Sequence, residues 1–157
     1  MAEKVKIFVF DLDGTLANTA PALLNAGNQV LKSIGRKPIK LEQYKGFIGG
    51  GTKKQVEKLL IATGGIPECG LDFYFKLFQD RYYADPVKDC SLYEGVLDLL
   101  ELLKKKGIKS TICTQKFEGS AKKVLLKLNI YQYFDGFAYG DSTAVLKPDP
   151  EVFYHSV

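Results

Sequence analysis

The chain has 157 residues, room for one domain or for a small domain carrying an insertion, but not for two full cores. Hydrophobic residues make up 46% and charged residues 25%, ordinary globular usage that excludes a disordered or low-complexity class. Twenty-two Lys+Arg against 18 Asp+Glu give a formal charge of +4, which suits an anionic small molecule and falls short of the clustered basic stripe that nucleic-acid binding uses.

Three cysteines, Cys69, Cys90 and Cys113, are too few and odd in number for a disulfide framework, and none forms a CxxC pair. A reducing cytoplasm is expected. The apolar stretch Ile7-Phe8-Val9-Phe10 is shorter than the roughly 7–15 residues of a secretory h-region, and no run approaches the ~18 apolar residues of a membrane span. Neither a membrane nor a nucleic acid is expected as a partner.

In chain order, residues 5–10 are an apolar run rich in β-branched and aromatic side chains, read as a parallel strand covered on both faces. Asp11-Leu12-Asp13-Gly14-Thr15-Leu16 follows as a loop. A helix begins near Thr19 and Pro21, placing Leu23, Leu24, Gly27, Leu31 and Ile34 on one face, and Gly35 ends it. Phe47-Ile48-Gly49-Gly50-Gly51-Thr52 is a flexible loop before a second helix bearing Val56, Leu59 and Leu60. After Gly64, Gly65 and Pro67 comes an aromatic-rich third helix over residues 71–83, with Phe73, Phe75, Phe78, Tyr82 and Tyr83 expected in the cap core or at a cap–core interface rather than as a base-stacking platform. No strand pattern interrupts residues 17–87.

Val96, Leu99, Leu100 and Leu103 then stand at helical spacing, closed by Lys104-Lys105-Lys106-Gly107, a last turn that complements the helix dipole. Residues 109–114 read as a second strand. Ala121, Val124, Leu125 and Leu128 repeat the helical spacing, residues 137–139 form a third strand, and Lys147-Pro148-Asp149-Pro150 opens a last helix. The predicted fold class is therefore α/β, a Rossmann-like parallel sheet with an all-helical insertion. Residues 1–16 and 88–157 form the core and residues 17–87 the helical cap.

Ligands of such sheets bind beyond the carboxyl ends of the strands, where Asp11, Asp13 and Thr114 fall. A carboxylate there can attack phosphorus and divide one hard hydrolysis into two easier steps. A second carboxyl, two residues on, can act as general acid and then general base. Two such carboxylates repel, and Mg2+, which prefers hard oxygen ligands, relieves the repulsion. Amides of Leu12-Asp13-Gly14 can form an anion-binding nest, Thr114 offers a hydroxyl, and Lys147 a positive charge for the transition state. Asp and Gly are also ordinary turn residues. At average usage, D-x-D-G-T arises by chance in about two chains per thousand of this length, and more rarely still behind an apolar strand.

Phe8-Val9-Phe10-Asp11-Leu12-Asp13-Gly14-Thr15-Leu16 resembles the first motif of the haloacid dehalogenase superfamily of phosphohydrolases. Ile112-Cys113-Thr114-Gln115-Lys116 resembles its second motif and Lys147-Pro148-Asp149-Pro150 its third. The similarity runs through nearly the whole chain and is greatest to the phosphoglycolate phosphatase-like branch. Phe47–Gly51 is similar to that branch's cap loop, and Leu92-Tyr93-Glu94-Gly95-Val96 to its re-entry into the core.

The resemblance implies a Mg2+-dependent phosphatase for a small phosphorylated metabolite, 2-phosphoglycolate first. Asp11 would be the nucleophile and Asp13 the acid/base, with Thr114, Gln115 and Lys147 at the phosphoryl group. Asp11 and the Asp13 carbonyl would hold the metal. Gly49, Gly50, Gly51 and Thr52 would form the substrate-facing loop of a mobile cap. Gln115 stands where the branch usually has Asn, and Asn18 replaces a common Asp.

The resemblance also implies a fourth, acidic motif on a further strand, and the chain stops at Val157 before it. The expectation is a truncated chain with a weakened metal site and an exposed sheet edge open to self-association. The alternatives are a phosphomutase of the same superfamily and a catalytically inactive fragment. A signalling receiver domain, the reading from another class, lacks a helical insertion of this size.

Overall fold

The computed structural model describes residues 6–157; Val5, expected in the first strand, lies outside them. In chain order the elements are β1 (Ile7–Phe10), β2 (Ala17–Asn18), α1 (Ala20–Ser33), α2 (Leu41–Lys45), α3 (Thr52–Ala62), α4 (Gly70–Ala84), β3 (Ser91–Leu92), α5 (Val96–Lys105), β4 (Lys109–Cys113), α6 (Glu118–Lys127), β5 (Gly136–Ala138) and α7 (Pro150–Ser156). The chain divides into two compact units, one from residues up to Asn18 together with Cys90–Val157, the other Thr19–Asp89.

The first unit is α/β. Its sheet runs in the order β1-β4-β5, with both pairings parallel and Phe10 opposite Ile112, Cys113 opposite Ala138. The helix α5 leads into β4, and α6 joins β4 to β5. α7 packs on β4 and β5, so closely that a Cβ on Gly136 would lie 2.5 Å from the Ser156 carbonyl oxygen. Cys113, Ala138 and Val152 form the buried contact between sheet and helix, with Val9 and Val145 against it. β1 is paired on one side only among the described residues, and Phe8 is 37% exposed. Ile7, Val9 and Phe10 are only half-buried, so the expectation of a strand covered on both faces is corrected, while the one-sided pairing agrees with the expected open edge.

The second unit is helical. α1 buries Leu23, Ala26, Gly27, Val30 and Leu31. A Cβ on Gly27 would come within 3.0 Å of Leu59 and 3.2 Å of Tyr44, so this glycine serves close helix packing rather than chain reversal. Arg36, just past α1, donates to the Leu60 and Gly65 carbonyls at 3.0 and 2.8 Å. Its guanidinium thereby ties the end of α1 to the last turn of α3 and to the loop that follows it. In α4, Tyr74, Phe78 and Tyr82 are the buried residues; of the aromatics expected in the cap, Phe73 and Tyr83 are exposed and so lie outside the core of the helical unit.

Several smaller expectations also change. β2, at the start of the stretch read as free of strands, pairs antiparallel with β3, Ala17 opposite Leu92; two-residue strands carry no periodicity to read. Their ribbon belongs to the first unit, so the units divide after Asn18 and Asp89 rather than after residues 16 and 87. Thr19 occupies the N-cap position of α1 without a side-chain cap bond. Leu99 is 38% exposed, leaving Val96, Leu100 and Leu103 as the buried stripe of α5.

Candidate active site

The site is assembled at the carboxyl ends of β1 and β4. Leaving β1, the chain turns at once. The amides of Leu16 and Ala17 both reach back to the Leu12 carbonyl at 3.1 Å, while the Gly14 amide donates to the Ala17 carbonyl at 2.9 Å. Gly14 has φ +78 with open space where a Cβ would stand, so backbone conformation and not crowding calls for glycine here. The turn thus engages the Gly14 amide, and the nest expected from Leu12-Asp13-Gly14 loses one of its three donors. Leu12 and Leu16 are buried beneath the loop. They anchor it while Asp11 and Asp13 stay partly accessible.

Each aspartate meets a lysine. Lys147 Nζ lies 3.1 Å from Asp11 Oδ1 and donates to the Cys113 carbonyl at 2.8 Å, tying the third motif to the carboxyl end of β4. Lys116 Nζ lies 2.9 Å from Asp13 Oδ1; the Lys116 side chain is 6% exposed and that of Asp13 24%. Asp11, Lys147 and Cys113 line a cavity of about 380 Å³ whose other walls include Val9, Phe10 and Phe153. Burial pushes the Cys113 thiol up, with the Lys147 ammonium opposing the shift; its side chain packs in the core with Ala138 and Val152.

The loop after β4 is cross-braced. The Thr114 amide donates to the Ala138 carbonyl at 2.9 Å. Thr114 is 1% exposed, and its hydroxyl oxygen accepts the Lys116 amide at 3.1 Å. Gln115 Nε2 donates to the Lys147 carbonyl at 2.9 Å, linking the second and third motifs. From the far side, the Gly140 amide donates to the Lys116 carbonyl at 2.9 Å, and Asp141 Oδ1 accepts the Glu118 amide at 2.9 Å, supplying the cap that Phe117 does not give α6.

Asp11, Asp13, Thr114, Gln115 and Lys147 therefore meet at one end of the sheet. Gly49, Gly50, Gly51 and Thr52 lie in the helical unit, at the amino end of α3, where the three glycines all have positive φ. Lys116 stands in the stretch that resembles the second motif, but its partner Asp13 is 103 positions away and no spacing pattern marks the pair. Gly140, whose amide meets the Lys116 carbonyl, likewise carries no local signal.

The Asp11 carboxylate and the Asp13 main-chain carbonyl offer hard oxygens, the type Mg2+ takes alongside water and substrate phosphate. Among the described residues no cluster of three His, Cys, Asp or Glu side chains joins them. Nor is any helix among them long and apolar enough to cross a membrane.

A family model described as haloacid dehalogenase-like hydrolase matches residues 8–157. The chain belongs to this family. It is 34% identical over 143 residues to a phosphoglycolate phosphatase of Cereibacter sphaeroides, covering 90% of this chain and 66% of that protein. To the phosphoglycolate phosphatase of Rhodobacter capsulatus it is 36% identical over 145 residues, covering 92% and 66%. This haloacid dehalogenase-like chain thus spans just under two thirds of the length of these curated relatives. Among solved structures, a predicted phosphoglycolate phosphatase from Haemophilus somnus superposes with a TM-score of 0.84 at 26% identity, covering 95% of this chain and 68% of that one.

Proposed function

We propose that this haloacid dehalogenase-like chain hydrolyses a small organic phosphate monoester, 2-phosphoglycolate first, through a phosphorylated Asp11. The observation that carries the reading is the Asp11 carboxylate at the end of β1 with the Lys147 ammonium 3.1 Å away and a second carboxyl two residues on. The relatives named phosphoglycolate phosphatase support the choice of substrate.

In the first step an Asp11 carboxylate oxygen attacks phosphorus, and the bond from phosphorus to the ester oxygen breaks. The departing oxygen takes a proton from the Asp13 carboxyl. Asp13, now a carboxylate, then takes a proton from the water that attacks the phosphoaspartate, which releases inorganic phosphate and restores both side chains. Lys147 neutralises charge on the transferring group, where fixed electrostatics carry most of the rate. Mg2+ held by Asp11 and the Asp13 carbonyl would further neutralise the phosphate.

Release of inorganic phosphate from 2-phosphoglycolate and other esters, with Mg2+ and with EDTA, tests the reading. Turnover is expected with Mg2+ only. Asp11→Asn is expected to lower kcat by roughly 10⁴-fold or more with an unchanged fold by circular dichroism. Beryllofluoride is expected to bind the wild type and not that variant. Undiminished turnover by Asp11→Asn would remove Asp11 as nucleophile.

A further inference from the structure

We propose that Lys116 is a positioning residue for proton transfer. Its ammonium holds Asp13 through Oδ1, so that Oδ2 carries the proton passed to the leaving oxygen and later taken from water. The inference rests on the phosphatase reading above and deepens it.

The argument is geometric. Asp13 follows a turn and its side chain is partly exposed; left to itself, a carboxylate on such a loop samples several rotamers. Lys116 reaches it from another strand end at 2.9 Å with a side chain only 6% exposed. A buried ammonium needs a partner, and here the partner is the group that must move the proton. The lysine is itself fixed at three points: its amide on Thr114 Oγ1 at 3.1 Å, its carbonyl under the Gly140 amide at 2.9 Å, and its Nζ on Asp13. An N–H to Oδ1 bond persists whether or not the carboxyl is protonated, because Oδ1 accepts in both states. The mobile proton is thereby assigned to Oδ2, with no change of partner between the two half-reactions. Lys147, by contrast, faces Asp11 and the Cys113 carbonyl, so the two lysines divide the work between nucleophile and acid/base.

Leaving-group dependence tests this in the full chain with Mg2+. p-Nitrophenolate departs without a proton at neutral pH, whereas the alkoxide of 2-phosphoglycolate requires one. Lys116→Met is expected to lower kcat for 2-phosphoglycolate by about 100-fold, the scale of a misplaced catalytic group. For p-nitrophenyl phosphate the same variant is expected to lose less than about fivefold, with KM for both esters little changed. Asp13→Asn should show the same selectivity, and adding Lys116→Met to it should cost little more. Should Lys116→Met not fold by thermal melting, Lys116→Gln, which keeps an N–H donor, is expected to show the same selectivity at smaller size. Equal losses on both esters, no loss, or losses that multiply with those of Asp13→Asn would overturn the assignment. Wild type inactive on every ester would instead overturn the phosphatase reading, a distinguishable result.

Discussion

Lys147 makes two bonds at once, to Asp11 Oδ1 at 3.1 Å and to the Cys113 carbonyl at 2.8 Å. The second fixes the ammonium whatever the charge on Asp11, so its charge is already in place when the phosphoryl group arrives. Gln115 contributes to the same end by holding the Lys147 carbonyl at 2.9 Å. Lys147→Ala should therefore lower kcat by roughly 100-fold, the scale on which removing one preorganised donor acts. Its effect should fall on p-nitrophenyl phosphate as much as on 2-phosphoglycolate, because charge on the phosphoryl group develops with either leaving group. Steady-state kinetics on both esters measure it, and an unchanged kcat would remove Lys147 from the chemistry. That profile is also what separates Lys147 from Lys116, although the two residues stand at neighbouring points of one loop cluster.

The elements show why such a cluster holds its shape. The loops after β4 and β5 meet at Gly140, where a Cβ would stand 2.1 Å from the Gln115 carbonyl oxygen. No rotation relieves a clash between backbone and Cβ, so Gly140→Ala must push the Gln115-Lys116 segment away. The expected result is a loss of about 1–3 kcal/mol of stability, read as a lowered melting temperature, with the proposed phosphate-ester turnover falling in the folded fraction because Lys116 moves with its carbonyl. Full activity in a normally stable Gly140→Ala protein would show that the loop tolerates displacement. Sequence alone made the long helices and the three main strands legible, because apolar spacing in α1, α3, α5 and α6 and the β-branched composition of β1 and β4 are local signals. It likewise placed Asp11, Asp13, Thr114, Gln115 and Lys147, whose residue types recur in fixed motifs. The two-residue ribbon of β2 and β3, the five-residue α2 and the Lys116 and Gly140 contacts were not legible. The ribbon and the Lys116 and Gly140 contacts are decided by partners far along the chain, and α2 is too short to show an apolar period.

At the scale of the molecule, the outer side of β1 is an unpaired strand edge among the described residues. The Lys6 carbonyl accepts the Lys109 amide at 3.3 Å. In the alternating ladder of a parallel pair this turns the backbone groups of Ile7 and Val9 away from β4. Ile7–Phe10 carries no charge, proline or bulge, the devices that blunt an edge, and Phe8 and Phe10 stack along one face with ring centroids 6.0 Å apart. A second copy of the same strand offers matching unpaired groups and further aromatic surface for cross-strand pairing. We therefore expect this chain to self-associate through β1 at concentrations on the order of 10–100 µM, where exposed strand edges become a hazard. Sedimentation velocity across that range should show a concentration-dependent shift away from the monomer. Phe8→Lys, which places a charge on the edge without touching Asp11, Asp13 or either lysine, should return the protein to a monomer while leaving the proposed phosphate-ester turnover in place. A wild type that sediments as a single monomeric species throughout would show that this edge is closed to a second copy.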